Sequence, residues 1–120
     1  ARYLRLDANS CVLVTNDNVA IGLIEGLIDL GIDVPGQGSV MGYDDIRYAQ
    51  RYRVPLTTIR QPEEAMGTLA AQELVSRIRE PDREPKSYLL PVKLVVRESV
   101  RPARTAGDDR RTGGRNDVSL

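Results

Sequence analysis

Residues 11–31 read Cys11-Val12-Leu13-Val14-Thr15-Asn16-Asp17-Asn18-Val19-Ala20-Ile21-Gly22-Leu23-Ile24-Glu25-Gly26-Leu27-Ile28-Asp29-Leu30-Gly31. The first five form a short apolar run with three β-branched side chains, which predicts a buried strand over residues 11–15. Asn16, Asp17 and Asn18 break the run and supply side chains able to cap a helix. Residues 19–30 are then almost entirely apolar. That is too long for a typical strand, and Gly31 behind it is a helix-ending signal. The reading is a strand, a polar tip, and a helix buried on more than one side.

The same alternation continues outward. Residues 33–38 are a turn cluster, and residues 39–43 form a second short apolar strand that stops at Asp44-Asp45. Residues 46–52 are a polar loop or short helix rich in Tyr and Arg. Pro55 precedes a third β-prone run over residues 56–60. Pro62-Glu63-Glu64 then opens a helix expected over residues 63–79, with two acids where the helix dipole favours them. Met66, Ala70, Leu74 and Ile78 recur every four residues, Leu69 and Val75 widen the stripe, and Pro81 stops it. Residues 88–90 and 92–96 read as strand split by Pro91. Past Pro102 the apolar content collapses, so residues 103–120 are expected to be a disordered tail.

An order β-α-β-loop-β-α-β implies an α/β fold with a mostly parallel sheet and flanking helices. In such sheets ligands bind beyond the carboxyl ends of the strands. Here those ends carry Asn16-Asp17, Asp44-Asp45 and Arg60-Gln61. Carboxylates and amides hold hydroxyl groups in fixed directions, so the site suits a polyhydroxylated ligand.

Composition removes several function classes. The chain has 120 residues, one domain at most. Its 17 basic and 17 acidic residues cancel, against a dedicated nucleic-acid or membrane-surface binder. Without His there is no His-dependent triad or His metal site, and a single Cys makes neither an internal disulfide nor a thiolate cluster. No apolar run approaches the roughly 20 residues that span a bilayer. No metal, cofactor or catalytic residue is therefore expected. Asp44 and Asp45 could be imagined as an acid/base pair, but adjacent residues on extended chain point apart. Cys11 is expected to be a small core residue. Arg47, Arg51 and Arg53 suit a solvated or subunit-contacting loop better than a DNA-reading element. The start at Ala1, without Met, suggests a partial chain.

Five blocks in order resemble the LacI/GalR repressors over about residues 8–102. They are Thr15-Asn16-Asp17-Asn18-Val19-Ala20-Ile21-Gly22, Leu30-Gly31-Ile32-Asp33-Val34-Pro35, Val40-Met41-Gly42-Tyr43-Asp44-Asp45, Pro55-Leu56-Thr57-Thr58-Ile59-Arg60-Gln61-Pro62 and Leu94-Val95-Val96-Arg97-Glu98-Ser99. The resemblance implies that residues 1–102 are the C-terminal part of an effector domain of the periplasmic-binding-protein-like type. It implies a small-molecule effector, a sugar or related metabolite, that controls operator DNA binding by an N-terminal helix-turn-helix outside this chain. It also implies a cytoplasmic homodimer with no membrane partner. A periplasmic sugar-binding protein of a transporter is the alternative with the same fold.

By the same resemblance Asp44 contacts the effector, with turn capping as the competing role. Asn16 does so too, unless its side chain only caps the helix. Gln61 sits at a crossover between lobes, as ligand contact or hinge packing. The helix over residues 63–79 is expected to pack on a lobe outside this chain. Relatives pair through the helix after the Asn-Asp block and the loop before Leu-Thr-Thr, which places Ile21, Ile24 and Tyr52 at a two-fold contact.

Overall fold

A computed structural model describes residues 10–103 in full, together with the backbone of the strands Tyr3–Leu6 (β1) and Asn116–Ser119 (β6). The expected disordered tail falls largely on residues outside the described ones; within it, β6 pairs antiparallel with β1, Leu6 opposite Asn116.

The central sheet starts with β2 (Cys11–Leu13) and β3 (Ser39–Met41), which run parallel with Val12 opposite Val40. Helix α1 (Asp17–Asp29) is the crossover between them. Asn16 caps it: its Oδ1 accepts from the Val19 amide at 2.9 Å. The helix therefore starts two residues before the apolar run suggests. Gly31 ends it at φ 76°, a conformation cheap only for glycine. There the Gly31 amide donates to the Ile28 carbonyl and the Ile32 amide to the Leu27 carbonyl, a Schellman closure in which the buried Ile32 and Leu27 side chains seal the end.

A parallel bridge between Met41 and Thr57 adds β4 (Thr58–Arg60) beside β3. β4 pairs antiparallel with β5 (Lys93–Val95), so the sheet is parallel at one side and antiparallel at the other. The expected strand at residues 88–90 does not form; Leu89 is 99% exposed, and Pro91 two residues on has no amide to donate.

Ala20, Ile21, Ile24 and Leu27 face the sheet and close a core with Ile32, Val34, Val40, Ala49, Tyr52 and Leu56. This corrects the interface expectation. Ile21, Ile24 and Tyr52 are 7%, 0% and 4% exposed, so these side chains are packed inside the chain's own core. The reason is that the loop before Leu56 folds back, with the Leu56 amide on the Ala49 carbonyl, and tucks Tyr52 under the core. Burial pushes the Tyr52 phenol above its ordinary range, and the Glu25 carboxylate adds to that. The outward face of α1 is instead Val19, Gly22, Gly26 and Leu30, while Leu23 is half-buried against the core. Val19 and Leu30 are more than half exposed, and a Cβ at Gly22 or Gly26 would meet nothing.

Cys11 is also a correction. It is exposed, because β2 turns Val12 toward the core and leaves Cys11 and Leu13 on the face that no described element covers. Helix α2 (Glu63–Arg79) has the bounds that its periodicity predicts, yet none of its residues is buried. Met66, Leu74, Val75 and Ile78 all stand in solvent. What holds α2 is the return of the chain along it: Arg83 pairs with Glu73 at 3.3 Å, and the Tyr88 hydroxyl donates to Glu73 at 2.7 Å.

Candidate ligand site at the strand ends

Hydrogen bonds carry the strand pairing past the formal strand ends. The Val14 amide donates to the Met41 carbonyl and the Asp17 amide to the Tyr43 carbonyl. The Gly42 amide donates to the Thr57 carbonyl and the Asp44 amide to the Ile59 carbonyl. The tips of β2, β3 and β4 are thereby laid side by side. Asn16, Asp44 and Gln61 stand on three adjacent tips, as the topology requires.

The structure brings Asp44 and Gln61 into contact. The Gln61 side-chain amide donates to Asp44 Oδ1 at 2.8 Å. The other Asp44 oxygen has no hydrogen bond among the described residues, and the carboxylate is only partly buried. Asn16 uses its oxygen as the helix cap, which leaves its NH2 donors for another partner. An open groove of about 700 Å³ begins at Gln61 and runs along the first turns of α2, past Glu64, Thr68 and Gln72.

The turn that carries Asp44 is unusual. Asp44 and Asp45 have φ of 112° and 59°, both outside the range that L-residues with side chains prefer. Asp45 does not face the site. Arg60 Nε and an Arg97 guanidinium nitrogen each donate to it at 2.5 Å, and its side chain is 5% exposed. Burial alone would raise its pKa, but the hydrogen bonds and charges of Arg97 and Arg60 outweigh that and hold the carboxyl below its ordinary value. Asp44 and Asp45 thus have separate partners and converge on no common bond.

Several residues that organise the site escaped the sequence reading. Asp17 looked like a spare cap, yet it is completely buried and accepts from the Thr58 hydroxyl and the Ile46 amide. Gly42 is needed beside it, because a Cβ there would overlap Asp17 Oδ1 and Leu56 Cδ2. Arg97 also donates to the Leu56 carbonyl, and its amide donates to Thr57 Oγ1. Ser99, fully buried, donates to the Val40 carbonyl and accepts from the Thr57 amide. The Arg97-Glu98-Ser99 segment therefore stitches β3 to the chain entering β4. The only signal in the sequence was the resemblance of that block. Among the described residues no group of three or more acidic, Cys or His side chains is placed to hold a metal.

This mixed sheet, with polar tips on its parallel side, defines the class: the chain belongs to the periplasmic binding protein-like domain family, whose pattern matches residues 4–100. The particular relatives are regulators. The HTH-type transcriptional repressor PurR of Vibrio vulnificus is 37% identical over 95 residues, covering 79% of this chain and 28% of that protein. A LacI family transcriptional regulator from Enterococcus faecium, solved with bound ribose, superposes with a TM-score of 0.70 at 36% identity, covering 79% of this chain and 36% of that one. The transcriptional regulator CelR in complex with cellobiose gives 0.71 at 36% identity, covering 75% and 28%. The chain spans less than a third of the length of the curated relative.

Proposed function

We propose that this chain is the effector-binding part of a LacI-type transcriptional regulator, and that a sugar or related polyhydroxylated metabolite binds at the tips of β2, β3 and β4. The observation that carries the reading is the Asp44–Gln61 pair, which leaves one carboxylate oxygen open. That oxygen accepts a ligand hydroxyl in a charge-assisted hydrogen bond, while Gln61 fixes the carboxylate's direction. Asn16 donates from its free NH2. Ligand binding shifts the populations of two domain states and so changes operator affinity at a separate DNA-reading segment. The reading includes a cytoplasmic homodimer and no catalysis. Among the described residues no helix is long and apolar enough to cross a membrane. A transporter's sugar-binding protein would share the fold; repressor relatives and sugar-bound regulator neighbours favour the regulator.

Titration calorimetry with ribose and cellobiose on the complete reading-frame product tests this. Asp44→Ala is expected to weaken binding by about 1.5–3 kcal/mol, the value of a hydrogen bond to a charged group. Unchanged affinity returns Asp44 to turn capping.

A further inference from the structure

Asp17 is a fully buried carboxylate without an ion pair among the described residues. Burying a polar side chain is costly unless it is hydrogen-bonded, so its place calls for a reason beyond capping, which Asn16 already performs. Its hydrogen bonds supply one. Its amide donates to the Tyr43 carbonyl at 2.8 Å, and its Oδ2 accepts from the Ile46 amide at 2.9 Å. One residue thereby grips the turn just before and just after Asp44-Asp45, the two positions with positive φ. Its Oδ1 accepts from the Thr58 hydroxyl at 2.5 Å, which ties the same carboxylate to β4, three residues before Gln61. Gly42 is kept bare where this carboxylate passes. Strained backbone persists only where its surroundings over-determine it, and here Asp17 closes the loop on one side while Arg60 and Arg97 hold Asp45 on the other.

From this geometry we infer that Asp17 is a positioning residue: it holds the turn over residues 42–46 and its register against β4, and so sets where Asp44 meets Gln61. The ligand role of that pair rests on the function proposed above; the grip on the turn does not. Asp17 itself does not touch ligand, since it has no exposed surface.

Residue-resolved amide hydrogen exchange on the complete reading-frame product reads the grip directly. Asp17→Ala is expected to speed exchange at the Ile46 and Asp44 amides about tenfold or more, while Leu27 and Val40 in the core hold within about threefold. Asp17→Asn keeps an oxygen for the Ile46 amide and is expected to restore most of the protection. An even change at all four amides, or none at Ile46, overturns the inference, because a merely structural carboxylate loosens the whole core alike. Should Asp17→Ala fail to fold, Thr58→Val removes the brace from the same carboxylate. It is then expected to loosen Ile46 and Asp44 about threefold, and no local change overturns the claim.

Calorimetry with ribose and cellobiose adds the functional arm. Asp17→Ala is expected to weaken binding about tenfold in the parent and less than about twofold in an Asp44→Ala background, the non-additivity of residues that act through one another. Full additivity contradicts positioning through Asp44. If neither sugar binds the parent, or Asp44→Ala leaves affinity unchanged, the ligand reading falls alone and the exchange pattern decides the inference.

Discussion

Helices α1 and α2 make an instructive pair. Both carry an apolar stripe at helical spacing; α2 has the bounds expected of it, and α1 starts at Asp17, two residues before its apolar run. α1 lays Ala20, Ile24 and Leu27 on the sheet at 0%, 0% and 4% exposure. α2 buries nothing, and Ile78 is 70% exposed. Periodicity announces that a face suits cover; it does not say what supplies it. Local signals such as caps, first-turn acids and helix-ending residues suffice to place a helix. Its stabilisation in this chain comes from tertiary packing in one case and from a short return loop in the other.

Truncation should separate the two helices most widely. In the 120-residue chain, Ile24→Ala is expected to cost about 3 kcal/mol in a urea melt, as buried Ile truncations do. Ile78→Ala is expected to stay within about 0.5 kcal/mol. In the complete reading-frame product the Ile78 cost should rise above about 1 kcal/mol if another segment covers the α2 stripe. Equal costs in the short chain would erase the distinction between the helices.

A smaller effect comes from pH and belongs to the packed half alone. The folded state holds the Asp45 carboxyl below its ordinary value. The matching stability is therefore fully present above the unfolded carboxyl's range, near pH 4, and is lost as pH falls through the lower folded value. Urea melts from pH 7 to pH 3 should show that loss, and Asp45→Asn should flatten it at the expense of stability at neutral pH. An unaltered acid profile in Asp45→Asn would assign the loss to other carboxylates. The smallest expected change is Asn16→Ala. Losing the α1 cap costs about 1 kcal/mol, and a neutral result would show that the Asn16 side chain does not stabilise the helix start.

What was legible in the sequence was local. The apolar run, Asn16 and Gly31 placed α1, and the strand order placed Asn16, Asp44 and Gln61 at neighbouring tips. What stayed hidden depends on residues far apart in the chain. Asp17 meets Ile46 across 29 positions and Thr58 across 41, and Arg97 meets Asp45 across 52. No spacing rule reports such pairs. The inward face of α1 was misjudged for a related reason. Nearly every position on it is apolar, so the pattern could not tell the Ile21–Ile24 strip from the Val19–Leu30 strip. Cys11 was misjudged because a β-prone run does not reveal which of its two faces has a neighbour.

The central claim is that the tips of β2, β3 and β4 form the ligand site. Its most direct measurement is a crystal structure of the complete reading-frame product with whichever of ribose or cellobiose binds it. The account predicts a sugar hydroxyl at about 2.6–2.9 Å from the free oxygen of Asp44, with Gln61 still on the other oxygen and the Asn16 NH2 facing the ligand. A sugar bound elsewhere, with the Asp44–Gln61 pair untouched, would contradict it.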